Sequence, residues 1–171
     1  MFVKNKDMLK NWFTIVLVLL ISSTIFGIAI YKKITFEQNC SGYLKRAADA
    51  NTVDIAKDQL KKSIDYIEAN NLTNGYTSVF YKTPDEDVSF WYKNIKASYM
   101  ELSKVNDSTS ELERTNILMK LRETLMDHEE ITIPDGISRF PDNKVWCFWF
   151  LIATILLGLG IISCLLELDI V

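Results

Sequence analysis

The chain has 171 residues, 49% of them hydrophobic and 24% charged, and a formal net charge of −3. The acidic balance excludes the strongly basic proteins that neutralise nucleic-acid phosphates, so no nucleic-acid partner is expected. Cys40, Cys147 and Cys164 are odd in number and two of them fall in an apolar run, which argues against a disulfide framework.

The average composition conceals where the apolar residues lie. No charged residue or histidine occurs between Lys10 and Lys32, a gap of 21 residues, or between Lys144 and Glu167, a gap of 22. At about 1.5 Å rise per residue, each gap makes a helix of roughly 31 to 33 Å, enough for a hydrocarbon core of about 30 Å. The chain therefore divides into a tail (1–10), a transmembrane helix (11–31), an extramembrane domain (32–144), a second transmembrane helix (145–166) and a tail (167–171).

Lys4, Lys6 and Lys10 resemble the basic start of a signal peptide, but Trp12 to Tyr31 outruns a cleavable apolar region and leads directly into Lys32 and Lys33, as a retained anchor does. Val145 to Leu166 is apolar on every face, and the remaining chain is too small to surround it as a soluble core helix. Trp12, Phe13, Tyr31, Trp146, Phe148 and Trp149 mark the ends of the spans, where amphipathic rings favour the headgroup level. Ser23 and Gly27 in the first span, and Thr154 and Gly158 in the second, set small residues four apart, so these faces are nominated for helix–helix contact within the membrane.

The first helix is expected to continue over about 32–50, with Phe36, Cys40, Tyr43, Ala47 and Ala50 on one face. Asn51 or Thr52 caps a second helix over 53–69, whose buried stripe is Val53, Ala56, Leu60, Ile64 and Ile67. Asn70, Asn71, Asn74 and Gly75 end it. Thr83-Pro84-Asp85-Glu86 combines a capping threonine, a proline at the first helical position and a glutamate three residues after the cap, and opens a third helix over 84–104. Its stripe is Val88, Trp91, Ile95, Ser98, Leu102 and Val105.

A further capping box at Ser108-Thr109-Ser110-Glu111 opens a fourth helix over 109–127, carrying Leu112, Leu118, Leu121 and Leu125. His128 to Lys144, with Pro134, Gly136 and Pro141, returns as a loop. Ile131–Ile133 and Val79–Tyr81 are short β-prone runs that are able to pair. The fold class is an all-α membrane protein: two transmembrane helices, with an antiparallel helical bundle between them into which the first helix extends.

Chemistry is sparse. Asp85-Glu86-Asp87 is the densest carboxylate group, but acidic residues in a first helical turn complement the helix dipole, and calcium-loop spacing is missing. His128 with Glu129 and Glu130 lacks the Glu-x-x-His spacing of helical metal sites and is expected to be solvated at a helix end. One histidine, no glycine-flanked nucleophile and no phosphate-binding glycine loop leave no catalytic set, no metal and no cofactor to assign. The spans carry no ionisable residue of the kind that marks a proton relay or ion pathway. Among Phe80, Tyr81, Phe90, Trp91, Tyr92 and Tyr99, the two expected to face outwards as a partner surface are Phe90 and Tyr92.

Three segments, Gly42 to Ala50, Tyr81 to Asp87 and Asn116 to Glu123, resemble parts of an uncharacterised family of small bacterial two-span membrane proteins with a helical domain between the spans. The resemblance implies a bacterial source and brings no activity with it. The layout is also similar to bacterial receptors whose helical sensor lies between two spans.

Basic residues flank both faces: Lys4, Lys6 and Lys10 on the tail side, and Lys32, Lys33, Lys45, Arg46, Arg139 and Lys144 on the loop side. Counting favours a cytoplasmic loop, yet loops beyond about 60 residues cross largely regardless of charge. A basic start before a long anchor also serves as an export signal, so the bundle is placed outside the cytoplasm, in a bacterial inner or plasma membrane. The expected role is a membrane-anchored interaction or accessory subunit, not an enzyme, with the lipid bilayer and a protein partner or second copy as its contacts. The alternatives are a small-ligand sensor bundle, or a homo-oligomeric channel lined by residues such as Ser22, Ser23 and Thr154.

Overall fold

The computed structural model describes residues 2–78, 82–139 and 144–168, with side chains over 12–13, 15–78, 82–139 and 147–162. The chain is mostly helical, and it divides into two units: 1–31 with 144–171, and 32–143.

The first unit holds the apolar helices. Helix α1 runs Phe2–Phe36, and the helical stretch Ile15–Ala48 is long and apolar enough to cross a membrane. Helix α6 runs Lys144–Leu168; its described apolar stretch is Cys147–Ile162. Their large apolar side chains point outwards: Phe13 is 71% exposed, Leu20 60% and Ile155 55%.

The second unit is built on a different plan, with its apolar side chains gathered in one core. Helices α2 (Gly42–Ala48), α3 (Val53–Ala69), α4 (Val88–Lys104) and α5 (Glu111–Leu125) pack in a cycle, α3 on α2 and α4, and α5 on α2 and α4. Thr52 caps α3 by accepting from the Ile55 amide, and the predicted stripe Val53, Ala56, Leu60, Ile64 and Ile67 is buried throughout. At the other end Asn71 adopts φ 57°, while Leu72 N donates to Ile67 O at 2.9 Å and Asn71 N to Glu68 O at 3.1 Å. This is a Schellman ending, with the buried Leu72 as its apolar contact.

Between α1 and α2 the chain makes one π-helical turn, Glu37–Ser41. The wider turn holds one more residue than an α turn, so the face that follows it is displaced. Phe36, Cys40, Leu44, Ala47 and Ala48 are buried, whereas Tyr43 and Ala50, which the regular period places inside, are half-exposed. Cys40 O accepts from the buried Ser63 hydroxyl at 3.0 Å, which satisfies a carbonyl displaced by the turn. A Cβ on Gly42 would stand 3.0 Å from Glu37 O, so glycine relieves the crowding at this point.

Two helix starts differ from expectation. Pro84–Glu86 is a separate 3₁₀ turn with Thr83 and Glu86 as a capping box, and α4 begins after it, capped by Asp87 accepting from the amides of Ser89 and Phe90. Val88, Trp91, Ile95 and Leu102 of its stripe are buried, while Ser98 and Val105 are half-exposed. Helix α5 is capped by Ser110, not Ser108, whose hydroxyl turns back onto Asn106. Starting there, α5 buries Leu121 and Leu125 but leaves Leu112 73% exposed.

After α5 come two short strands, β1 (Met126–Asp127) and β2 (Glu130–Ile131), paired antiparallel. Ile131 thus pairs with Met126; the other β-prone run, Val79–Tyr81, lies outside the described residues. The connecting residues His128 and Glu129 have φ 45° and 69°, the conformation of a two-residue I′ turn, which favours Asn-Gly. His128 is therefore in a hairpin turn and not at a helix end. Glu129→Gly is expected to raise stability by about 1 kcal/mol, because left-handed backbone strains a residue with a Cβ. Urea melts of the full chain in detergent would measure it, and an unchanged midpoint would refute the strain.

Candidate functional site

Two places combine unusual exposure with ordered polar contacts. In the apolar unit, α1 and α6 meet through small residues, with Ser22, Ala29, Ala153 and Gly160 buried. Ser22 Oγ donates to Ala153 O at 3.3 Å, the Phe26 and Phe150 rings meet edge to face at 5.0 Å, and a Cβ on Gly160 would touch Leu19 at 3.5 Å. A hydroxyl bonded across such a contact contributes about 1 kcal/mol.

The nominated face lies beside this one. Ser23, Gly27 and Thr154 are exposed and Gly158 is half-buried; no atom comes within 4 Å of a Cβ on either glycine. Thr154 donates instead to Phe150 O of its own helix at 2.8 Å. The buried small residues are spaced by seven, Ser22 to Ala29 and Ala153 to Gly160, a spacing that a search at four passes over.

The second place is a cleft of about 430 Å³ between the start of α4 and the β1–β2 hairpin. Trp91, Ile95 and Leu125 form its buried floor, and Phe90, 62% exposed, is a wall. Trp91 Nε1 donates to Thr132 O at 2.9 Å, and Thr132 N donates to Leu125 O at 2.9 Å, so the floor is tied to the hairpin. Asp85, Asp87 and Asp127 line the cleft with no lysine or arginine among the lining residues.

Compared with family models, curated proteins and solved structures, the chain matches none of them.

Phe90 and Tyr92 part company in the structure. Phe90 is on the surface, but Tyr92 is half-buried; its hydroxyl donates to Glu68 Oε1, and Lys96 Nζ reaches Glu68 Oε1 at 2.8 Å. Bonds from Lys96 and then Tyr92 hold the Glu68 carboxyl below its ordinary range, and the same carboxylate chiefly holds the Lys96 ammonium above its own. The trio therefore joins α3 to α4. Phe80 and Tyr81 lie outside the described residues, as does the side chain of Trp146.

Cys40 is wholly buried, and desolvation pushes its thiol up, so it is an inert core residue and not a nucleophile. Among the described residues no group of three or more His, Cys, Asp or Glu side chains is placed to hold a metal ion. The cleft offers an apolar floor, an exposed ring and three aspartates.

Proposed function

We propose that the chain crosses the bilayer twice, through 11–31 and 145–166, and carries an antiparallel helical bundle between the spans as a membrane-anchored interaction or accessory subunit without catalytic activity. The observation that carries this reading is the contrast between the units. The paired apolar helices expose Phe13, Leu20, Ile30 and Leu159, at 56% or more each, whereas 32–143 folds its apolar stripes inwards. Apolar surface of that kind costs about 25 cal/mol per Å² in water and nothing comparable in lipid. The internal Ser22 bond fits the same solvent, since hydrocarbon offers a hydroxyl no water and its acceptor has to be a carbonyl of the helices themselves.

A bacterial inner membrane, with the bundle outside the cytoplasm, completes the reading; it rests on the segments similar to small bacterial two-span proteins and on the long loop. Asn74 is exposed, so Asn74→Cys in a chain otherwise free of cysteine reports the side of the membrane. Labelling by an impermeant maleimide in intact cells is the expected result. Labelling only after lysis would place the bundle in the cytoplasm, and release of the chain by alkaline carbonate would refute membrane integration altogether.

A further inference from the structure

We propose that the cleft between α4 and the β1–β2 hairpin receives a basic side chain of a protein partner, with its aliphatic stem on Phe90 and its charge toward Asp85 and Asp127. The volume of about 430 Å³ suits one or two side chains, within the roughly 300–1,000 Å³ range of binding clefts. The walls require an occupant with two characters. Trp91, Ile95 and Leu125 provide a dry floor, and the 62% exposed Phe90 extends it to the surface, where apolar contact releases water.

The charge around that floor has one sign, since three aspartates line it without a lysine or arginine. Asp87 is engaged as the cap of α4, accepting at 2.9 Å from Ser89 N. Asp127 interacts with the exposed His128 at 3.7 Å. Asp85 and Asp127 come from the 3₁₀ turn and from the hairpin, on two separate segments of chain. Among the described residues no group of three or more His, Cys, Asp or Glu side chains is placed to hold a metal ion. A guanidinium or ammonium at the end of an apolar stem fits both parts: the stem lies along the ring, and the head meets the carboxylates at the exposed rim. The floor is preorganised by the Trp91 to Thr132 bond, so little ordering is lost on binding.

The proposal rests on the reading of the chain as an interaction subunit, and the test separates the two. The full chain in maltoside micelles is titrated into a fluorescein-labelled Leu-Arg-Leu peptide with glycine-serine flanks, its Leu-Glu-Leu counterpart and empty micelles, with anisotropy as the readout. Binding of the arginine peptide alone is expected, with a loss of about tenfold or more for Asp85→Asn with Asp127→Asn, and for Phe90→Ala. These residues are exposed, so the variants should keep the wild-type circular dichroism; Asp107→Asn, outside the cleft, should bind as wild type. Equal binding of wild type and the double variant, or binding of both peptides alike, overturns the proposal. So does no binding at all. In that last case, a photo-crosslinker at Leu112, away from the cleft, that still captures one defined partner in cells would leave the interaction-subunit reading standing, and no capture there or at Phe90 would end both.

Discussion

Trp91→Ala is expected to lower the stability of the 32–143 unit by about 3–5 kcal/mol, as other buried aromatic truncations do. The indole is 7% exposed in the core formed with Val88, Ile95 and Leu125. Its loss removes apolar contact, leaves a cavity beneath the cleft and strips Thr132 O of the donor at 2.9 Å. Trp91→Phe separates these effects, since it retains most of the ring contact and loses the bond; it should cost about 1–2 kcal/mol. Denaturant melts followed by far-ultraviolet circular dichroism would rank the three proteins. If both substitutions cost the same, the hydrogen bond and not the packing is what holds the hairpin to α4.

Ala153→Leu should disrupt the pairing of α1 with α6, whereas Gly158→Leu should leave it intact. Ala153 is 1% exposed, and its carbonyl receives the Ser22 hydroxyl, so replacing the methyl by an isobutyl side chain has to displace α1 from that contact. Overpacking of this kind costs about 1–3 kcal/mol, and loss of the hydroxyl bond adds to it. Around Gly158 a Cβ meets nothing within 4 Å. Cysteines at Leu19 and Gly160, where an added Cβ lies 3.5 Å from the Leu19 side chain, in a chain with no others, report the pairing through oxidative cross-linking. Equal cross-linking in the Ala153→Leu and Gly158→Leu chains would show that the small residues do not set the contact.

How far the sequence discloses this structure depends on whether a feature is periodic. Val53, Ala56, Leu60, Ile64 and Ile67 follow the helical period with charged residues between them, and all five are buried. In α5 the leucines alone give no phase: once Ser110 is the cap, Leu112 emerges on the outer side while Leu121 and Leu125 face the core. Ser108 and Ser110 each have a glutamate three residues on, so both satisfy the capping pattern, and only the loop geometry chooses between them.

The candidate sites were less legible for a related reason. Phe90 is exposed as its place beside Trp91 on α4 suggests, but Tyr92 is claimed by Glu68, a residue on another helix that no local pattern connects to it. The cleft is assembled from the turn at 84–86, the start of α4 and the hairpin, three segments brought together only by the fold. In the apolar pair a spacing of four selects Ser23 with Gly27 and passes over Ser22, which has Phe26 four residues on and its buried counterpart Ala29 seven residues on. At His128 and Glu129 neither residue type announces a turn, and the hairpin had no signal to read.

The π turn at Glu37–Ser41 has a consequence for how this chain tolerates changes in length. A π turn stores one surplus residue without rotating the helix on either side of it. Deleting a single residue between Glu37 and Ser41 converts it to an ordinary turn while Phe36 before it and Leu44, Ala47 and Ala48 after it keep the faces they present to the core. A deletion within α3 has no such reserve and would swing every residue beyond it by about 100°, carrying Ile64 and Ile67 out of the core. Among the described helices of 32–143, this junction is a place where the chain can shorten by one and still close on the same interior.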